Sequence, residues 1–524
     1  MSLLPTPATR EPYAASLSVR DRLLPPMPDN PLWGWLGPLV VALFGGFLRF
    51  YHLGTPHAVV FDETYYAKHA FSLITHGVER KFVDDADSLM LHGSEHLFAT
   101  CETVQDCAVY AMHPPLGNWM IGVGEWLFGL TPFGWRFMPA LVGTVSVLIL
   151  ARVARRMTRS TLLGCLAGFL LALDGLHFVL SRTALLDIFL MFWVLAGFAC
   201  LLVDRERVRE RLVEWHAAAA TPTGPRLGLR PWRLAAGLCL GAALATKWTG
   251  LFFILAFGVM TLVWDAGARR AVGLRRLEAA RLDWPLGAAW LGGVPIVVYV
   301  ASFGGWLATA GGWGRDWDGA TSPGRSFVID SLRSLVTYQL QLLGSHTSLS
   351  THHGYQSDPW TWPLLLRPAA FFYEKTAAGC GADECFSSIV GAGTPLIWYA
   401  ALPALAAMIG WYLAARDWRA GAVLLAYGMG WLPWFYYAIA DHRTMYLFYT
   451  LPVLPFMILA VVLSCGLIMG TNGASSERRT IGVTLVGAFA LLALVNFWWI
   501  SPILTAEPLT YSEWLSRMFL RSWI

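Results

Sequence analysis

Six polar islands in this chain carry the residue types that could do chemistry. The first is Phe61-Asp62-Glu63-Thr64-Tyr65-Tyr66, two adjacent carboxylates beside an apolar run. His113-Pro114-Pro115-Leu116-Gly117 follows, then Gly134-Trp135-Arg136, then Ser181-Arg182 with Leu186-Asp187. Thr246-Lys247-Trp248 is the fifth. The sixth runs from His353 and Tyr355 through Pro359-Trp360-Thr361-Trp362-Pro363 to Arg367. Each alone has an ordinary reading: a solvated Asp-Glu pair, a span-end arginine that snorkels, a surface histidine. Together, in a chain with few charges, they suit one task. Cationic side chains can hold an anionic lipid headgroup while a carboxylate deprotonates an acceptor beside it.

Membrane spans must position these islands. A span needs about 20 mostly apolar residues. Eleven segments qualify, near 33–51, 135–154, 161–180, 184–203, 232–248, 250–264, 285–308, 395–414, 420–438, 444–467 and 480–500. Arginines cluster after every second one: Arg155 and Arg156, Arg205 to Arg211, Arg269 and Arg270, Arg416 and Arg419, Arg478 and Arg479. With eleven spans all of these lie on one side, the cytoplasmic side by the positive-inside rule. The N-terminus is then inside, the C-terminus outside, and all six islands share the extracytoplasmic face. Residues 1–32 are polar and Pro-rich without an apolar core, and are expected to be a disordered cytoplasmic tail, not a signal peptide. The transmembrane domain is expected over 33–500, with long outer loops at 52–134 and 309–394 and an extracytoplasmic C-terminal segment at 501–524. Within the first loop, Tyr65–Gly77 and Leu116–Gly129 are short, amphipathic and fit helices lying in the membrane interface.

Composition supports this class. Of 524 residues, 56% are hydrophobic and only 14% charged, against about 25% charged in soluble domains. A net charge of +4 is too small to carry an argument, and no nucleic-acid partner is expected. Cys101 and Cys107 lie in the first outer loop, Cys380 and Cys385 in the second. On an oxidising face, with short separations, they read as two local disulfides. A zinc site made from all four is the sharper alternative. Asp84, Asp85, Asp87, His92 and His96 look ligand-like, and a polar loop explains them as well.

The islands, in this order, resemble the protein O-mannosyltransferases that use polyprenyl-phosphate-mannose. The resemblance rests on Phe61-Asp62-Glu63, His113-Pro114-Pro115-Leu116-Gly117, Ser181-Arg182 with Leu186-Asp187, Lys247-Trp248-Thr249-Gly250-Leu251, and Pro359-Trp360-x-Trp362-Pro363-Leu364 with Arg367. Two departures stand out. The loop 309–394 is too short for the β-trefoil domain of eukaryotic members, so the bacterial, actinobacterial-type form is expected. Asn118 stands where the family often has Lys.

The resemblance implies an all-α polytopic GT-C fold, with the active site on the outer face under the first loop. It implies inverting transfer of mannose from a polyprenyl-phosphate donor to Ser/Thr hydroxyls of secreted polypeptides, at the plasma membrane, with no metal and no other cofactor. Asp62 takes the role of general base, and Glu63 positions acceptor or sugar. Arg136 is the first candidate to meet the leaving phosphate, with His113, Arg182, Lys247, His353, Tyr355 and Arg367 as further substrate contacts. Asp187 orients Arg182. Trp360 flanks sugar or lipid, or belongs to an interfacial aromatic belt. A related GT-C enzyme that moves a lipid-linked sugar to a glycan or lipid shares the fold and the Asp-Glu loop, but not the Pro-Trp-x-Trp-Pro island. A transporter or flippase predicts mid-membrane charges and internal repeats, and neither is present in the spans.

Overall fold

The computed structural model describes residues 18–27, 30–218, 224–315, 327–377, 379–470 and 474–524. The part of the expected tail at 1–17 and 28–29 lies outside the described residues. The helices of the first half are α1 (Val19–Leu23), α2 (Pro31–Phe50), α3 (Glu63–His76), α4 (Ala86–Leu91), α5 (Leu116–Phe128) and α6 (Pro132–Thr158). They continue with α7 (Thr161–Ala172), α8 (Gly175–Leu180), α9 (Asp187–Ala217), α10 (Pro231–Thr246), α11 (Gly250–Ala271) and α12 (Arg276–Leu282). Later helices are named by their residues. The chain folds as a polytopic helical membrane protein, because a helix satisfies its backbone hydrogen bonds inside hydrocarbon.

Nine helices among the described residues are long and apolar enough to cross a membrane. The two other expected spans are shorter pieces. Segment 232–248 is the 16-residue α10, and segment 161–180 is broken into α7 and α8. Asp174 makes that break. Its carboxylate accepts from His177 N (3.0 Å), Trp398 Nε1 (2.7 Å) and Thr394 N (3.3 Å). Thr394 Oγ1 donates to Leu173 O at 2.6 Å and accepts from Gly175 N at 3.0 Å. Helix starts follow capping chemistry. Asn30 accepts from Trp33 N ahead of α2, and Thr131 from Gly134 N ahead of α6, each followed by Pro.

Several features depart from the expected picture. Residues 18–27 fall in the expected disordered tail, yet they carry α1, whose Leu23 packs with Val208 and Leu212 of α9. The loop expected at 309–394 contains a 21-residue helix, Phe327–Thr347. It also holds one two-stranded antiparallel hairpin, β1 (Ala369–Thr376) and β2 (Cys385–Gly391), within an otherwise helical fold. A β-bridge from Phe386 to Leu509 and the Trp514 ring dock the C-terminal segment on that hairpin. In the first loop, α3 and α5 occupy the two segments read as interfacial helices.

At the bundle end away from the islands, Asp204 of α9, Asp265 of α11 and Asp283 are buried with Arg230, Arg233 and Arg269. Arg230 spans Asp204 (2.6 Å) and Asp265 (3.0 Å), Arg233 does the same at 3.1 and 2.8 Å, and Arg269 holds Asp283 at 2.6 Å. These pairs tie α9, α10 and α11 together. Removing one partner leaves an uncompensated buried charge, at a cost of roughly 3–5 kcal/mol. Asp265→Ala is therefore expected to lower the melting temperature of detergent-solubilised protein strongly. An unchanged melting curve would remove this cluster from the stability of the bundle.

Candidate active site

Asp62 and Glu63 are adjacent in sequence and opposite in environment. Glu63 is fully buried. Its Oε1 accepts from Arg136 Nε (2.8 Å) and Ala184 N (3.0 Å), and its Oε2 from Arg136 Nη2 (2.9 Å) and Val60 N (2.9 Å). Arg136, only 1% exposed, also donates to the carbonyls of Leu53 (3.4 Å), Pro56 (2.9 Å) and Ala58 (2.8 Å). The pair therefore fixes the loop 53–63 over α6 and joins it to the turn before α9.

Asp62 sits at the start of α3 and makes no side-chain capping bond. Burial pushes its carboxyl up to about 6, Lys247 pulls it down, and Asp187 pushes it up again. The backbone just before it is unusual: Phe61 has φ 50, a conformation disfavoured for a bulky residue. Its ring stacks on Phe371 of β1 at 4.8 Å and meets Phe448 edge-on at 5.9 Å. The hairpin and the first turn of the span Leu447–Met469 thus clamp the residue that presents Asp62.

Beside these groups lies a cavity of about 300 Å³. Its polar wall holds His113, Asp187, Lys247, His346 and Arg443, and its apolar wall Leu190, Leu251, Phe252, Leu343 and Trp434. Lys247 Nζ bonds Asp187 Oδ2 at 2.8 Å. Arg443 donates to His346 O at 3.0 Å, while its buried Nε has no partner among the described residues. His113 and His346 stack at 5.3 Å. Burial and the nearby cations hold His346 down to about 4 and His113 well below the usual histidine range. Both rings are neutral at pH 7. His346 Nε2 faces Met112 O at 2.8 Å; a carbonyl only accepts, so Nε2 carries the proton. The arrangement offers two cations, two neutral imidazoles and a high-pKa carboxyl beside an apolar slot.

Of the residues singled out from sequence, His113, Asp187 and Lys247 line this cavity. Asp62 is not among the lining groups, but it is near enough for Lys247 and Asp187 to move its pKa. The other residues singled out from sequence lie outside this cavity and are engaged elsewhere. Arg136 spends its hydrogen bonds on Glu63 and three carbonyls, leaving nothing to meet a phosphate. Arg182 caps the end of α2 through the carbonyls of Leu48, Arg49, Tyr51 and His52. Asp187 bonds Lys247 and not Arg182. Arg367 donates to the carbonyls of Gly354, Ser522 and Ile524, tying the second outer loop to the C-terminus. The Trp360 ring is tilted against Phe435, with centroids 5.9 Å apart. His353 and Tyr355 sit on the loop beside Tyr446, with the His353 and Tyr446 rings 5.5 Å apart.

Arg443 and His346 were missed. Arg443 lies in Asp441-His442-Arg443, a polar island between the ninth and tenth expected spans. That turn falls on the same face as the other six, so the signal was present. His346 gave none, because it lies on a loop helix that was not expected.

The structure joins Cys101 to Cys107 and Cys380 to Cys385. Among the described residues no group of three or more His, Cys, Asp or Glu could hold a metal ion. Asp87 instead bonds Lys68 at 2.8 Å and Thr64 Oγ1 at 2.6 Å.

The sequence and fold were compared with known proteins. Residues 39–304 match the family model for dolichyl-phosphate-mannose-protein mannosyltransferase. Residues 331–523 match the C-terminal four-span region of protein-O-mannosyltransferase. The chain belongs to the dolichyl-phosphate-mannose–protein mannosyltransferase family. Polyprenol-phosphate-mannose–protein mannosyltransferase of Mycolicibacterium smegmatis is 39% identical over the full length of both chains. Its Mycobacterium tuberculosis counterpart is 40% identical, over 95% of this chain and 93% of its own. The Saccharomyces cerevisiae Pmt1–Pmt2 complex bound to the sugar donor superposes with a TM-score of 0.73. It covers 97% of this chain and 94% of its own, at 14% identity. Family and fold together make this chain a membrane glycosyltransferase of the mannosyltransferase class with the GT-C architecture.

A high-pKa carboxyl in a folded mannosyltransferase has a stability consequence. The Asp62 carboxyl titrates near 6 when folded and near 3.8 in a model peptide. Folding thus favours its protonated form, so this contribution is fully present below about pH 4 and is lost as pH rises past 6. Asp62→Asn carries no charge to bury. At pH 8 it is expected to be more stable than wild type by on the order of 1–3 kcal/mol, with the difference vanishing near pH 4. Thermal melts at the two pH values check this; a variant less stable at pH 8 contradicts it.

Proposed function

We propose that the enzyme transfers mannose from a polyprenyl-phosphate-mannose lipid to Ser or Thr hydroxyls of secreted polypeptides. Transfer takes place at the extracytoplasmic face of the plasma membrane, with the N-terminus in the cytoplasm. The mycobacterial relatives are polyprenol-phosphate-mannose–protein mannosyltransferases, which supports the donor and the protein acceptor. The observation that carries the chemistry is Asp62: a half-buried carboxyl without a capping bond, beside a cavity with two cations and an apolar wall.

On this reading Asp62 is the general base. A Ser or Thr hydroxyl is a weak nucleophile and needs its proton taken as the new bond forms. The hydroxyl oxygen attacks the anomeric carbon from the side opposite the phosphate, the bond to the phosphate oxygen breaks, and the centre inverts. The departing lipid phosphate is already acidic and needs no proton, but its growing charge needs fixed donors. Lys247 and Arg443 supply them, with the neutral imidazole of His113 beside them. The apolar wall takes the start of the polyprenyl chain. Glu63 and Arg136 act at one remove, by holding the loop that presents Asp62.

The test uses purified enzyme in vesicles, polyprenyl-phosphate-mannose and a Ser/Thr-rich peptide. Mannosylation is read by mass, and anomeric configuration by sensitivity to an α-mannosidase. Asp62→Asn is expected to cut turnover by roughly 10²–10⁴ with the fold retained. Arg443→Ala is expected to lower kcat on the order of 10²-fold, with a smaller rise in donor KM, since its contact strengthens as the bond breaks. Turnover within threefold of wild type for Asp62→Asn removes the proposed base, and an Arg443→Ala enzyme with unchanged kcat removes the proposed phosphate contact.

A further inference from the structure

A second cavity, of about 600 Å³, lies where the catalytic-side ends of α2 and of the last span, Ser476–Leu504, meet the end of α8. It shares no lining residue with the catalytic cavity. Its floor is aromatic and aliphatic, with Phe44, Phe178 and Phe497 among its lining groups. Its mouth carries three ionisable side chains, His52, Arg182 and Glu507. The surrounding surface is apolar: Phe47 is 64% and Trp498 71% exposed, both on membrane-spanning helices. Such exposure on spans means contact with acyl chains, so the cavity borders a lipid-facing surface.

The charges at the mouth are only partly used. Arg182 is 7% exposed. Its two terminal nitrogens bind backbone carbonyls, and its Nε–H has no acceptor among the described residues. Glu507 is exposed and makes no ion pair among the described residues. The backbone of His52 is held at φ 51, its ring against Tyr51 at 4.2 Å.

We propose that this cavity binds one aminophospholipid of the membrane leaflet on the catalytic side. Its phosphate lies at Arg182 and His52, its ammonium at Glu507, and one acyl chain runs along Phe44, Phe178 and Phe497. Charge complementarity selects this occupant. A lipid with a net negative headgroup would face the Glu507 carboxylate without a cation to offer it, and a polyprenyl phosphate has the same defect. A zwitterion satisfies both signs. The bound lipid joins the first span to the last beside the loop that Arg136 holds. The proposal does not rest on the assignment of Asp62 or Arg443.

Native mass spectrometry of the full-length enzyme, delipidated in detergent and titrated with single lipids, tests it. Phosphatidylethanolamine, phosphatidylglycerol and a polyprenyl phosphate are the probes. Wild type is expected to take up one phosphatidylethanolamine about fivefold more strongly than phosphatidylglycerol, the worth of one partly exposed charge pair. Glu507→Gln is expected to abolish that preference, and Glu507→Lys to reverse it. Glu507 is exposed, so neither change threatens the fold. No selectivity in wild type, a preference for phosphatidylglycerol or polyprenyl phosphate, or a preference that survives Glu507→Gln would each overturn the proposal.

Discussion

The end of the molecule that holds the candidate site depends on one buried ion pair, Glu63 with Arg136. A charge pair out of water is costly unless its remaining lone pairs and protons are also used. Here they are. The Glu63 carboxylate takes four donors, two from Arg136 and one each from the backbone of Val60 and Ala184. Arg136 in turn satisfies three loop carbonyls that no neighbouring strand or helix would reach. An apolar replacement would strand those carbonyls in a dry site. The pair is therefore a scaffold for an irregular loop, and its product is the fixed position of the residue next to Glu63.

That position is strained, and the strain is held by rings. A bulky residue in the left-handed region costs about 1–3 kcal/mol. Each favourable aromatic contact returns roughly 0.5–1.5 kcal/mol beyond area burial. Phe61 has Phe371 stacked on it and Phe448 edge-on, so the two effects are of similar size. The β1–β2 hairpin reaches the loop before Asp62 through Phe371. Arg367 and the Phe386–Leu509 bridge then tie the hairpin region to the C-terminus. Groups distant in sequence converge on one φ angle.

How much of this was legible follows from which forces act locally. Spans are set by apolar length, a property of the sequence alone, so helices appear near all eleven expected segments. The break at Asp174 was not legible, because its carboxylate is satisfied by Thr394 and Trp398, over two hundred residues away. The helix Phe327–Thr347 was hidden by its polar mix: Leu335, Tyr338 and Leu342 are buried on one side while Leu332, Val336 and Leu340 are exposed on another. In β1, Ala369-Ala370-Phe371-Phe372-Tyr373 has strand-like aromatics, but a short apolar run inside a polar loop does not reveal its partner strand. Asp62, His113 and Lys247 stand out in the sequence because ionisable groups near span ends and in the loops between them are rare here. The partner of each arginine could not be found that way. Arg136, Arg182 and Arg443 look equivalent as span-end cations, and only the count of N–H groups already spent on the protein separates them.

The same count explains the electrostatic balance around Asp62. A lone lysine close to a carboxylate would hold it ionised and weaken it as a base. Lys247 is not alone, because Asp187 bonds its ammonium at 2.8 Å. The Asp187 charge offsets much of the lysine field, and burial then dominates, leaving the Asp62 carboxyl near 6 instead of near 4. A carboxyl there is mostly ionised at pH 7 yet remains a stronger base than a solvent-exposed aspartate. Histidine at 113 and 346 adds polar groups without adding charge, since both rings stay neutral. On the proposed mechanism, this keeps the cationic field low before reaction. The field at the phosphate then rises only where Lys247 and Arg443 meet the charge that develops as the lipid departs, which is where stabilisation accelerates the step.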